Sequence, residues 1–489
     1  MIHAIALAIA LNPGQQRSVR LLPSSFPVSA RSAHGLFAVR VNEVAHTIVL
    51  TARGQTGNDT LELRTAQRAF ALPVRIALNA GTIPARVTLR VTGDPVSVTW
   101  LMQRVHDLLA RVVLVAPGAE ANIGTAHPAV APPPLGKTAT PVFPVRIGGD
   151  AQRFSVRGTT LVRIRHVDAP SFTPPLLAYD DDPEQLHAVG RVSDVTVRSG
   201  SPIRLYSYHQ NGRTPRRFVV ALTSPSSRPV RVALIAAPAG PSGDVMSVGH
   251  ATTRDFLTQQ PINEGVIVTV APGIPYVVLD DTLGARDAVA ETLDVRVLTS
   301  SSVIALTTMA LPLAMNPLDG LQLAVLPGDG KARRGVFSIE PFDTSHSSYT
   351  VGGADATVEY GMRNHPPPPT KPGEKGRDLG DYGVLRTIVF AVHNPSTQPR
   401  EIYLYEKPLG GIVRSSFLVD GTLVQLGCVR VPKEYLITPF ELAPRMQYRV
   451  VVKTMTDGGS NYPLLIGLGT TIPVVHAPPI RAKDGCFPQ

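Results

Sequence analysis

Apolar residues come in short alternating runs along almost the whole chain. Residues 36–41, 46–51, 60–64, 74–78, 85–91 and 96–101 each place apolar side chains at every second position, the period of a half-buried strand. Turn-forming stretches such as Leu78-Asn79-Ala80-Gly81 and Thr92-Gly93-Asp94-Pro95 separate several of them. The run 100–109 fits two periods, because Leu101, Val105, Leu108 and Leu109 would share one face of a helix; strand and loop is the reading adopted. Further strand-like runs fall at 155–157, 160–165, 194–198, 203–206, 321–326, 336–339 and 357–360. The pattern predicts an all-β protein.

One stretch occurs twice. Arg216-Arg-Phe-Val-Val-Ala-Leu-Thr-Ser-Pro225-Ser-Ser-Arg-Pro229-Val-Arg-Val232 returns as Arg386-Thr-Ile-Val-Phe-Ala-Val-His-Asn-Pro395-Ser-Thr-Gln-Pro399-Arg-Glu-Ile402. A strand, a proline turn and a second strand explain both, since proline cannot donate to a central ladder and marks strand ends. Ala271-Pro-Gly-Ile-Pro-Tyr276 is echoed by Ala443-Pro-Arg-Met-Gln-Tyr448, and Val303-Ile-Ala-Leu-Thr-Thr308 more weakly by Leu465-Ile-Gly-Leu-Gly-Thr470. Two copies of one β unit, about 216–308 and 386–471, are expected.

Strand spacing makes each copy resemble the generic immunoglobulin-type or fibronectin-type sandwich, without the Cys…Trp…Cys framework of true immunoglobulin domains. The resemblance implies three or so β-sandwich modules in tandem. The boundaries expected are a possible export segment and N-terminal extension at 1–34, a first sandwich at 35–126, a Pro-rich linker at 127–146, modules at 147–315 and 316–480 holding one repeat copy each, and a C-terminal tail at 481–489. The stretch from His365 to Arg377, with four consecutive prolines, reads as an exposed loop.

Composition changes this picture little. With 43% hydrophobic residues the chain can bury real cores, and its 46 prolines and 41 glycines punctuate without reaching low-complexity levels. The net charge of +10 invites a nucleic-acid reading. Against it, the basic residues are mostly single arginines, the longest basic runs are the pairs Arg216-Arg217 and Arg333-Arg334, and aromatics are 6% of the chain, whereas a phosphate-tracking surface interleaves basic runs with aromatics. Nucleic acid is therefore not the partner expected; other surface proteins, an anionic polysaccharide or further copies of the chain are. There is no apolar run long enough for a transmembrane helix.

Residues 1–11, apolar after Met1-Ile-His, resemble the hydrophobic part of an export signal but lack a basic start, so a buried first strand and a disordered terminus compete. The two cysteines, Cys428 and Cys486, would close a loop worth roughly 3–4 kcal/mol if bonded; with an export segment, the pair points to an extracellular or cell-envelope location in a bacterium. Two free thiols are the alternative.

Motifs of enzymes are absent: no P-loop, G-x-G-x-x-G, H-E-x-x-H, G-x-S-x-G or C-x-x-C. His166 with Asp168, and His209, could each meet a Ser or Asp from elsewhere, which is thin ground for a triad. The densest polar cluster is Tyr179-Asp180-Asp181-Asp182-Pro183-Glu184, with His187 beyond it. A solvated turn is the plain reading. A calcium site on Asp180, Asp181 and Asp182 is the sharper one, weakened because neighbours on a strand face opposite ways. A carboxylate pair for catalysis is a third. No cofactor is expected apart from that calcium. The function expected is a non-enzymatic structural, scaffolding or adhesion protein; the alternatives are a polysaccharide-binding or polysaccharide-active protein, or a subunit of a surface appendage or virion.

Overall fold

The structure, a computed structural model, describes residues 9–65, 68–339, 344–361, 376–378, 380–471 and 486. The protein is all-β and built of packed sheets. It divides into two compact units, Met1–Leu89 with Ser97–His166, and Arg90–Val96 with Val167–Gln489.

The first unit opens with a sandwich. One sheet runs in the order Ile9–Leu11, Ala69–Ile76, Gly57–Thr65, Val28–Ser32, the other Gln16–Arg20, Thr47–Ala52, Phe37–Asn42. Ile9, Leu11, Ile48, Leu50, Leu61, Leu63, Val74 and Ile76 fill the space between them. The N-terminal stretch is thus not an extension preceding a domain that starts at 35. From Ile9 on it is sandwich, because Ile9 and Leu11 flank exposed Ala10 and alternate like any strand. Residues 1–8, the rest of the proposed export segment, lie outside the described residues.

The sandwich ends at Ile76, and the remainder of this unit contains a helix, Val98–Val112. The strand-and-loop reading of 100–109 was incorrect. Ser97 accepts a hydrogen bond from the Trp100 amide as N-cap, and Trp100, Leu101, Val105 and Leu109 form the buried face. The deciding signal is the absence of Gly and Pro from Val96 to Ala116 after a capping serine. The supposed linker at 127–146 is also structured. Val142–Ile147 pairs antiparallel with Val156–His166 over six positions, and Phe143 and Val145 are buried. Phe143, Val145 and Ile147 alternate, a strand pattern that the surrounding prolines conceal.

The second unit holds both repeat copies. In the first, the sheet Gly190–Arg198, Val303–Leu311, Arg216–Thr223, Tyr276–Leu283 packs on a larger one that includes Gly265–Val270, Val230–Ser242, Ala288–Val297, Ile203–Asn211, Leu176–Asp180 and Arg334–Ser338. In the second, Thr344–Thr350, Arg386–His393, Gln447–Thr454, Ile412–Val419, Thr422–Arg430 face Ala356–Tyr360, Leu464–Gly469, Arg400–Pro408, Tyr435–Leu442. The pairings correspond: the Arg216 strand pairs with the Tyr276 strand as the Arg386 strand does with the Gln447 strand. The Val230 strand lies between the Gly265 and Ala288 strands as the Arg400 strand lies between the Tyr435 and Leu464 strands. Pro225 and Pro395 sit in equivalent turns between strands.

The weakest echo misleads. The Val303 strand pairs with the Arg216 strand, whereas the Leu464 strand pairs with the Arg400 strand in the other sheet and matches the Ala288 strand instead. Both are deeply buried strands, and buried strands of small and branched residues look alike. The copies differ again after their second strand. The first inserts the helix Val245–Gln259 where the second has the hairpin Ile412–Val419 and Thr422–Arg430.

That helix covers the outer face of the larger sheet. Beneath it Arg204 and Asp294, opposite each other in register, form a two-pronged ion pair at 2.7 and 3.0 Å. The two side chains are 1% and 0% exposed. The guanidinium lies 4.6 Å over the Phe256 ring of the helix and donates to the Gly383 carbonyl at 3.2 Å. On the other side the helix meets the second repeat: His250 Nδ1 contacts Asp457 at 2.5 Å and Nε2 contacts Gln425 at 3.0 Å. Gly249 permits this approach, since a Cβ there would collide with the backbone of Gly458. Cys428 and Cys486 are bonded, with Cα atoms 5.3 Å apart, and Arg414 reaches from Cys486 Sγ to Ser247 and Asp244 at the helix start. The neighbouring tail residues and the four-proline stretch lie outside the described residues.

Removing one member of a buried ion pair strands the other charge, at a cost of about 3–5 kcal/mol, while replacing both with apolar residues costs much less. Arg204→Met and Asp294→Leu should each lower the denaturant midpoint strongly, and the double variant should recover much of the loss. Equal and additive losses would show that the pair is not coupled.

Candidate functional site

The acidic run Tyr179 to Glu184 leaves the end of the Leu176–Asp180 strand, and the strand's period of two decides where each side chain goes. Ala178 belongs to the sandwich core, and Leu177 and Tyr179 to the cluster on the outer face. Asp180 follows Ala178 inward, accepting from Thr308 at 2.6 Å and Ser207 at 3.2 Å, with His209 Nε2 at 3.4 Å. Burial would raise its pKa, but the charge and hydrogen bond of His209, with Thr308, hold the carboxyl below its ordinary value. The His209 pKa is raised in return by Asp180, against the effect of burial. This Ser207, His209 and Asp180 group is not a nucleophilic triad. The hydroxyl donates to the carboxylate, the second imidazole nitrogen faces the Pro183 carbonyl at 2.9 Å, and all three residues are buried. His166 faces the Pro133 carbonyl at 2.9 Å.

Asp181 follows Tyr179 outward. It lies 3.0 Å from Arg333 and accepts from the Tyr179 hydroxyl at 3.2 Å. Asp182 turns elsewhere and accepts from the Asp329 amide at 2.6 Å. The three carboxylates therefore serve three different sets of protein partners and do not surround one point, so the calcium reading fails on geometry. Among the described residues no group of three or more His, Cys, Asp or Glu side chains is placed to hold a metal ion. The solvated-turn reading fails as well: all three residues are buried.

Asp181 instead lines a cleft of about 710 Å³. One wall is tyrosine. Tyr382 stacks on Tyr179 with centroids 6.5 Å apart and planes 8° apart, and on Tyr206 at 5.9 Å and 26°. The Tyr382 hydroxyl donates to the Ser460 carbonyl at 2.8 Å, and the Tyr208 hydroxyl to the Val245 carbonyl at 3.0 Å. Gly458 lies against these rings, since a Cβ there would come within 2.6 Å of the Tyr206 hydroxyl oxygen. Ser460 and Asn461 extend the same loop along the lining.

Charged groups make up much of the remaining lining. Arg333 holds Asp181 at 3.0 Å, Glu184 at 2.9 Å and Asp329 at 3.0 Å, and Lys331 reaches Glu184 at 3.3 Å. Arg377 is attached by its amide to the Ala332 carbonyl at 2.7 Å. Burial pushes the Asp181 carboxyl up to about 7 despite the opposing charges of Arg333 and His209. Burial acts on Glu184 in the same direction but loses to Arg333 and Lys331, which leave it below its ordinary value. Three buried polar atoms of the lining residues have no hydrogen-bond partner, the Tyr206 hydroxyl, Asp181 Oδ1 and Arg333 Nε, and all three are shielded from solvent. Such atoms cost free energy unless something meets them.

The sequence reading had singled out Tyr179, Asp181, Glu184 and His187. It passed over Tyr206, Tyr208, Lys331, Arg333, Tyr382 and the Gly458-Gly459 turn, which are far apart along the chain and belong to no motif.

No family model and no curated protein matches the chain. Among solved structures, tripeptidyl peptidase 2 aligns over 96% of this chain and 33% of its own, at 8% identity and a TM-score of 0.15; the chain thus spans about a third of that protein. The SGBP-B protein of the Bacteroides ovatus mixed-linkage glucan utilization locus, in complex with mixed-linkage heptasaccharide, aligns over 59% of this chain and 72% of its own at 8% identity and 0.15. The tandem CBM22 domains of Paenibacillus barcinonensis Xyn10C align over 73% and 84% at 9% and 0.11. Likenesses at these scores carry no argument about ligand or activity.

A second buried carboxyl titrates in the same range as Asp181. Glu406, on the Arg400 strand, is fully buried, and burial, with the Asp457 charge adding to it, pushes it from 4.5 to about 8. Both groups bind a proton more tightly folded than unfolded, so stability should be greatest near pH 4–5 and fall as pH rises through about 7 and 8. Asp181→Asn with Glu406→Gln should flatten that fall between pH 5 and 8.5 in thermal melts. A wild-type protein that gains stability over this interval would contradict the assignment.

Proposed function

We propose that the protein is a non-enzymatic β-sandwich binding protein of the cell exterior or envelope, which holds a saccharide in the tyrosine-lined cleft. The observation that carries this is the make-up of the cleft, where the rings of Tyr179, Tyr206, Tyr208 and Tyr382 meet the charged groups of Asp181, Glu184, Lys331 and Arg333. Ligand sites of roughly 300–1,000 Å³ combine an apolar or aromatic lining with a few placed polar groups, and this cleft has that size and make-up. A sugar suits it for a specific reason. Carbohydrate hydroxyls can exchange hydrogen bonds with the exposed ends of Glu184 and Lys331, and an apolar ring face can lie against the part-exposed Tyr382.

The Arg333 cage supports a role in holding rather than reacting. Asp181 and Glu184 are both tied to one guanidinium, which fixes their positions and leaves neither free to approach a substrate without breaking an ion pair. The disulfide supports the location, because such bonds persist in oxidising compartments and are rare in the cytosol.

Isothermal titration of the intact protein with soluble oligosaccharides chosen from a glycan array tests the reading. Tyr382→Ala should weaken binding about tenfold or more, or about 1.4 kcal/mol, with the fold retained by circular dichroism. Saccharide binding that survives both Tyr382→Ala and Asp181→Asn unchanged would place the site elsewhere.

A further inference from the structure

The cleft does not end at its charged wall. A second cavity of about 420 Å³ lies beyond it, lined among others by Pro183, His187, Ala188, Leu326, Pro327 and Asp329. The two cavities share two residues, Glu184 and Lys331. These form a bridge between the compartments, their charged ends 3.3 Å apart, with side chains 39% and 62% exposed. An exposed ion pair of this kind contributes little, about 0–1 kcal/mol, so it yields readily to a ligand lying across it.

The compartments differ in character. The first offers tyrosine rings and the Arg333 cluster. The second offers prolines, Leu326 and an exposed imidazole, with the Glu184 and Lys331 groups available at the boundary to both sides. A single small ligand would use one compartment. A linear chain would use both, with hydroxyls or ring oxygens of the unit over the bridge exchanging hydrogen bonds with Glu184 and Lys331. The bridge also has a firm footing: Asp329 accepts from the Lys331 amide at 2.9 Å and takes one branch of Arg333 at 3.0 Å, while its own amide is held by Asp182. Asp182, drawn away from its two neighbours, thereby fixes the loop that forms the far compartment.

We propose that the cavity bounded by His187, Ala188 and Leu326 is a second subsite, and that the ligand is a linear oligosaccharide crossing the Glu184–Lys331 bridge with different sugar units in the two compartments. This rests on the saccharide reading of the cleft and adds chain length as the quantity recognised. Two exposed positions probe the far compartment without touching the cleft: Ala188→Trp fills it, and His187→Ala removes its ring. The probes are cello-oligosaccharides, chito-oligosaccharides and oligogalacturonides, each as a series of one to six units, titrated calorimetrically into the intact protein. The expected result is a series in which affinity rises tenfold or more as the chain becomes long enough to pass the bridge. Ala188→Trp should abolish that rise while leaving the shortest binding member unchanged, and His187→Ala should reduce it. Affinity that is independent of length, or a rise that persists in Ala188→Trp, overturns the second subsite and leaves the saccharide reading of the cleft standing. Absence of binding in all three series overturns both.

Discussion

The arrangement of the second unit depends on one buried ion pair. Arg204 and Asp294 lie on the outer face of a sheet, where a guanidinium and a carboxylate would ordinarily be hydrated, and the helix Val245–Gln259 seals them from water. The cost of desolvation is offset because nearly every polar direction is met: two bonds to Asp294, one to the Gly383 carbonyl, and the Phe256 face over the cation. Burial still raises the Asp294 pKa against the pull of Arg204. Gly383 follows directly after Tyr382, so the bond that satisfies Arg204 also anchors the segment bearing the central ring of the tyrosine stack.

The helix that seals the pair is what distinguishes the two repeat copies. Where the second copy continues into a hairpin, the first turns into a helix capped by Asp244. Its small and polar residues face neighbours on several sides: Gly249 against Gly458, His250 against Asp457 and Gln425, Thr252 against the Ala237 carbonyl. These contacts hold the Gly458-Gly459 turn of the second copy against Tyr206 and Tyr208 of the first. The cleft is lined by both modules, Tyr206 and Tyr208 from one and Tyr382 and Gly458 from the other, and neither could form it by itself.

That shared lining explains what the sequence could and could not reveal. The β pattern, the proline turns and the first two echoes were legible because they depend on local period and turn chemistry, which act within a few residues. The helix Val98–Val112 was legible too and was misread, since its capping serine and the lack of any Gly or Pro outweigh a period that fits both structures. The third echo was unreliable because burial on both faces erases the distinction between one core strand and another. The cleft was only partly visible. Tyr179 to Glu184 stood out as a cluster, but its partners Tyr206, Arg333, Tyr382 and Gly458 are brought there by sheet order and by the helix, and no spacing along the chain encodes that.

The acidic run illustrates how local period and tertiary context divide the outcome. Alternation alone separates Asp180 from Asp181, sending one to His209 inside the sandwich and the other to Arg333 in the cleft. Tertiary context then sets opposite proton affinities: His209 lowers that of Asp180 against the effect of burial, whereas desolvation outweighs Arg333 and brings Asp181 to about 7. Two adjacent residues of one type thus become a carboxylate that ties strands together and a carboxyl with a raised proton affinity beside Arg333 and the Tyr179 hydroxyl. A calcium ion would need both on the same side at once. The strand's pleat forbids that, and the same pleat places Asp181 against Arg333 in the lining of the cleft.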